Sequence, residues 1–176
     1  MSPETEPKAG KMISLERVQQ VLDLFRNDAI VNMEDSRRRI SVSISISVKR
    51  PLTKRLDGEI ERYWQELHDA AMRESLIENL AKEFGVLQAP KVEATISLEK
   101  AQEILEAPYE RALSDTSYHG DKILAIMEVD LENPLDKPRN EEVEEHWQKL
   151  HNAAVKEELI EELADELGVE LQGPED

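Results

Sequence analysis

Two tryptophan–histidine pairs carry the side chains best suited to chemistry in this sequence. Trp64 and His68 are four residues apart, as are Trp147 and His151. On a helix an i, i+4 pair shares one face, so each indole would lie one turn from an imidazole. An imidazole titrates near neutral pH and can move protons, and an indole offers a large apolar face with a single N–H donor. One reading is a paired aromatic–imidazole site, one pair from each half, meeting across a twofold. The other is structural: each tryptophan anchors its helix on a sheet, with the histidine at the rim.

Little else supports catalysis. The chain has no cysteine, which excludes a disulfide scaffold, a thiolate metal site and a cysteine nucleophile. No P-loop, dinucleotide fingerprint or nucleophile motif is present. His146 and His151 are five apart and share no helix face, and no His-Glu-x-x-His occurs, so neither a metal nor a cofactor is expected. These readings favour a binding protein over an enzyme.

The second feature is a block of charge. Arg37, Arg38, Arg39, Lys49, Arg50, Lys54 and Arg55 lie between Ser36 and Leu56 with no acidic residue among them. Three readings fit: a contact for an acidic partner, self-association with the acidic half of a second copy, or charges that keep an exposed strand soluble.

The elements that would position these residues repeat. A shift of 83 places Trp64 on Trp147, Ser14-Leu15-Glu16 on Ser97-Leu98-Glu99 and Pro51-Leu52 on Pro134-Leu135. From Ile13 to Val86 no gap is needed, and about 28 of the 74 pairs are identical. The chain therefore reads as a tandem duplication: a tail over 1–11, a first repeat over 12–88, a linker over 89–94, a second repeat over 95–171 and a tail over 172–176. Each repeat is small for a core that folds alone, so the halves are expected to pack on each other.

Within the first repeat, Met12-Ile13 reads as a brief strand and Ser14 as the N-cap of a helix ending near Asn27-Asp28. Ile40 to Val48 alternates β-branched residues with serine, the pattern of a strand with one open face. Its counterpart, Ile123 to Leu131, puts Ile123, Ala125, Met127, Val129 and Leu131 on one face, after a turn at Tyr118 to Asp121. The stretches 59–84 and 142–167 are helical by period. In the first, Ile60, Trp64, Leu67 and Ala71 form one stripe, and Ile77, Leu80, Ala81 and Phe84 form another rotated from it. The change of phase near Arg73 to Ser75, with a capping box at Ser75 to Glu78, suggests a break there. Gly85 and Gly168 stop both helices. The expected fold is α+β: a duplicated αββα unit, or a ferredoxin-like βαββαβ unit if Val86-Leu87, Val92–Ile96 and Val169–Leu171 are strands, with helices on one face of an antiparallel sheet.

Charge separates the halves. Residues 1–90 hold 14 Lys/Arg and 15 Asp/Glu, and residues 91–176 hold 8 and 24, out of a net charge of −17. Such acidity opposes phosphate backbones and favours a basic partner. The run Leu-Ile-Glu-x-Leu-Ala-x-Glu-x-Gly-Val at Leu76 and again at Leu159 is similar to the first helix of helix-turn-helix domains. Pro90 falls where a recognition helix would begin and none follows the second copy, so DNA reading through it is rejected. No membrane-length apolar run or signal-peptide centre is seen, so a cytoplasmic location is expected. The expected function is a non-enzymatic protein–protein interaction module: an acidic adaptor, chaperone or regulator, able to form a homodimer. The alternatives are an acidic inhibitor imitating nucleic acid, and a small-molecule-sensing or enzymatic domain with its site between the repeats.

Overall fold

The computed structural model describes residues 11–47, 54–87, 94–130 and 137–172. Its elements in order are β1 (Met12–Ser14), α1 (Leu15–Ser47), α2 (Lys54–Glu83), β2 (Thr95–Ser97), α3 (Leu98–Asp130) and α4 (Lys137–Leu167). The α+β expectation, whether αββα or ferredoxin-like βαββαβ, is overturned. Among the described residues the sheet is two strands of three residues each, and nearly all the rest is helix. Val86-Leu87 and Val169–Leu171 form no strand.

The largest correction falls on the alternating segment. Residues 40–47 continue α1, and residues 123–130 continue α3. The turn expected at Tyr118–Asp121 is helical too. A strand there would need a neighbour for its N–H and C=O groups, and a two-stranded hairpin alone is marginal in water. A helix closes those bonds within the segment. Each Ser, Val or Ile costs only about 0.5 kcal/mol there relative to Ala. Burial then follows the helical period: Ala29, Met33, Ser36, Ile40 and Ser43 are buried, while Val42 is exposed. Ala125, expected beside Ile123 on an inner face, is exposed.

The helices α2 and α4 run unbroken, so the capping box at Ser75 does not start a new one. The two stripes of differing phase resolve into one. Tyr63, Leu67, Ala70, Glu74, Ile77, Ala81 and Phe84 alternate in steps of four and three and are all buried or half-buried. This is the seam of two long antiparallel helices packed side by side. Residues 83 further on make the seam of α4: His146, Leu150, Ala153, Glu157, Ile160, Ala164 and Leu167. Trp64 and Ala71 lie beside the seam and are exposed, so the expected stripe through Ile60, Trp64, Leu67 and Ala71 is not the buried face.

Helices α1 and α2 form one hairpin, α3 and α4 the other, and the two join at the strand end. β1 and β2 pair antiparallel with Ile13 opposite Ile96. The pairing is extended on both sides, where Leu15 N–H donates to the Ala94 carbonyl and Leu98 N–H to the Lys11 carbonyl, each at 2.9 Å. Ser14 and Ser97 then cap α1 and α3 through their hydroxyls, accepting from the N–H of Arg17 and Lys100. Beneath the strands all four helices meet in one core that includes Val18, Leu22, Leu80, Leu105, Ile160 and Leu163. Full burial of each such side chain stabilises by roughly 1.5–3 kcal/mol. The helices leave this core through glycine. Gly85 and Gly168 take φ of 71° and 67°. Val86 N–H donates to Ala81 O and Gly85 N–H to Lys82 O, the paired bonds of a Schellman stop.

Candidate functional site

The tryptophan–histidine pairs sit where α2 meets α4. His68 Nε2 lies 3.0 Å from the amide oxygen of Asn152, and His151 Nε2 lies 2.9 Å from a carboxylate oxygen of Asp69. The same two acceptors each take a bond from a glutamine one turn back on their own helix: Gln65 to Asp69 at 2.9 Å and Gln148 to Asn152 at 3.0 Å. The two triads are related by the shift of 83, so a single arrangement occurs twice across the junction. They differ in one atom type, because Asp69 brings a carboxylate where Asn152 brings an amide.

Both acceptor oxygens fix the histidines with Nε2–H as donor. The Asp69–His151 pair therefore has the polarity of an oriented imidazole, with Nε2 spent on the carboxylate. What the arrangement does physically is bridge α2 and α4. Four residues after Asp69, Arg73 of α2 pairs with Glu158 and, at 3.3 Å, Glu162 of α4. Among the described residues no cluster of His, Asp or Glu is arranged to hold a metal ion.

The two indoles flank this junction, one turn before each histidine, and both face solvent. Trp64 is 55% exposed and Trp147 is 54% exposed. The anchor reading is thereby corrected: among the described residues no sheet lies beneath these helices, and the hairpin seam is made by the neighbouring positions Tyr63 and His146. The histidines do come together across the junction; the tryptophans remain uncovered beside it.

Of the basic block, Arg37, Arg38 and Arg39 lie exposed on α1. Arg39 pairs with Asp35 at 2.6 Å and stands 5.5 Å over the ring of Tyr63. Lys49 and Arg50 lie outside the described residues; Lys54 and Arg55 fall in the first turn of α2. Since 40–47 is helix, the reading of these charges as guards of an open strand falls away.

Asp69, Asn152, Gln65 and Gln148 are site residues that pattern reading passed over. Their signal was present: a glutamine four residues before an Asp or Asn recurs in both copies at the positions that frame each histidine. A second polar pair gave no signal, because it needs the α3–α4 register. His119 Nδ1 lies 2.9 Å from His146 Nδ1, with the Tyr118 ring edge-on to both. Burial, then the charges of His146 and Lys149, hold His119 below the ordinary histidine range. The equivalent residues in the first hairpin are Ser36 and Tyr63.

No protein-family model, curated protein or solved structure matches the chain. Among the described residues no helix is long and apolar enough to cross a membrane.

Proposed function

We propose that the chain is a non-enzymatic protein-binding module whose contact face is the α2–α4 ridge bearing Trp64 and Trp147. The observation that carries this reading is the exposure of both indoles at equivalent places on either side of one junction. Exposed tryptophans lose solvent-facing apolar area when a partner covers them, and tryptophan is the residue most enriched among binding hot spots. The His68–Asn152 and His151–Asp69 bonds hold the two helices in register, so the ridge is presented on a fixed base. The exposed acidic residues of α4, among them Glu144, Glu145, Glu158 and Glu162, favour a basic partner.

The test compares capture by the immobilised wild-type chain with capture by a Trp64→Ser/Trp147→Ser variant, over a range of salt. A protein retained by the first, lost by the second and released by salt supports the reading. Retention of the same proteins by both forms refutes it. The acidity of α4 also favours a second reading, imitation of nucleic acid. That reading requires the captured protein to be displaced by DNA or RNA, and a partner indifferent to both eliminates it.

A further inference from the structure

The two flanks of the α2–α4 junction differ in charge. On one, Arg73 is met by Glu158 and Glu162. On the other, Lys156 takes the place of Arg73, and the positions of the two glutamates hold Ser75 and Asn79. These three residues line one cavity of about 370 Å³. Arg111, which stands where the first half has Asp28, lines the same cavity. Neither Lys156 nor Arg111 has an ion-pair partner among the described residues. In a chain of net charge −17, two cations with no ion pair among the described residues thus line one cavity where the related position supplies two carboxylates.

Shape changes on the same flank. Leu24 and Phe25 of α1 are replaced in α3 by Ala107 and Pro108. Leu159 of α4 is 1% exposed, but its counterpart Leu76 is only half-buried and forms floor to a groove between α2 and α3. The groove continues the cation cavity, since both are lined by Leu76, Asn79, Pro108 and Arg111, and it adds about 530 Å³ with Leu80 and Ile104 in its wall. On α2 the lining runs from Met72 to Glu83, roughly 16 Å at 1.5 Å per residue. These volumes fall in the range of small-molecule sites, which are apolar clefts with a few placed polar groups.

We propose that this groove binds a small amphipathic anion: an unbranched apolar chain ending in one carboxylate. The head lies between Lys156 and Arg111, in the role that Glu158 and Glu162 play for Arg73, within reach of the Ser75 hydroxyl and the Asn79 amide. The chain lies along Leu76, Leu80, Ile104 and Pro108. Charge limits the occupant to a small one. Asp115 lines the cavity, and Glu83 and Glu103 line the groove, Glu103 paired with Lys100 at 2.7 Å and Glu83 beside Lys82 in sequence. A polyanionic macromolecule would be repelled by these and by the field of the whole chain; a single head group placed in the cavity meets chiefly Lys156 and Arg111. This site adjoins the α2–α4 junction, whose Asn152 also lines the cavity, but it does not depend on the protein-binding reading.

The probe is octanoate, titrated by calorimetry into the full chain, with 1-octanol as the uncharged match for its tail and acetate for its head. Octanoate should saturate one site per chain, with octanol and acetate each at least tenfold weaker. Lys156→Ala and Arg111→Ala should each weaken octanoate severalfold. The decisive variant is Asn79→Glu, which restores an acid opposite Lys156 as Glu162 stands opposite Arg73. It should weaken octanoate at least tenfold while the melting temperature holds or rises, separating loss of the site from loss of the fold. Absence of saturable octanoate binding, equal binding of octanol, or wild-type affinity in Asn79→Glu overturns the proposal.

Discussion

Replacing Ile40 and Val42 by alanine, one at a time, tests whether the serine–isoleucine segment is helix or strand. In a strand the two side chains point the same way and would be buried alike. In α1 they are 200° apart around the axis at 100° per residue; Ile40 is 6% exposed and Val42 is 53% exposed. Truncating a buried isoleucine to alanine costs about 2–5 kcal/mol, depending on how far the site collapses. Ile40 lies in the two-helix part of the hairpin, away from the four-helix core, so the lower end applies, about 2 kcal/mol. Val42→Ala removes little buried area and trades a β-branched residue for the best helix former. It should be neutral or stabilising by up to about 0.5 kcal/mol. For a chain of this size 1 kcal/mol moves the melting temperature by roughly 2–4 °C. Ile40→Ala should therefore melt about 4–8 °C lower and Val42→Ala at or above wild type. Helical circular dichroism followed through urea and thermal unfolding reads both. Equal losses in the two variants would refute the helical register and return the segment to a strand.

The second hairpin should be the acid-sensitive one. The His119–His146 bond survives with one imidazole charged but not two, since two cations leave no lone pair to accept. His119 binds its proton less tightly folded than unfolded, so the stability it contributes is present above about pH 6.5 and is lost as pH falls through the lower folded value. A His119→Gln variant should show a flatter stability profile between pH 7 and 5 than wild type, and parallel profiles would count against the pair. Tyr109 should titrate late. Its hydroxyl donates to Glu161 at 2.8 Å, and that bond, then burial, pushes its pKa up to about 12. The hydrogen-bonded phenol therefore adds stability below about pH 10 that disappears as pH rises through the folded value. Ultraviolet titration should show one of the three tyrosines lagging, and Tyr109→Phe should remove that late step; its persistence would reassign it.

Much of the candidate site could be read before the fold was known, because it rests on spacing along single helices. The i, i+4 rule puts Trp64 with His68 and Trp147 with His151 whatever surrounds them. The shift of 83 identified which residues would come in related pairs. What the spacing could not give was the exposure of the indoles. A stripe drawn through Trp64 and one drawn through Tyr63 are both plausible faces of one helix, and the partner helix α1 selects the second. The groove was illegible for the same reason: Pro108 for Phe25, and Asn79 for Glu162, are single differences until α2, α3 and α4 bring them to one place.

By itself the sequence determined the local features whose physics closes within a few residues. Ser14 and Ser97 cap helices with their own hydroxyls. Gly85 and Gly168 end helices in a left-handed turn that costs glycine nothing. The absence of cysteine and the density of carboxylates set the chemistry and the field. Tertiary structure alone decided the state of residues 40–47. Alternating isoleucine and serine satisfies the period of a strand, and it also places Ile40 and Ser43 in a seam of steps four and three. Local preference differs by only a few tenths of a kcal/mol per residue between those forms. A long antiparallel helix alongside, with Tyr63, Leu67 and Ala70 in its seam, tips the balance, and no stretch of α1 read alone contains that neighbour.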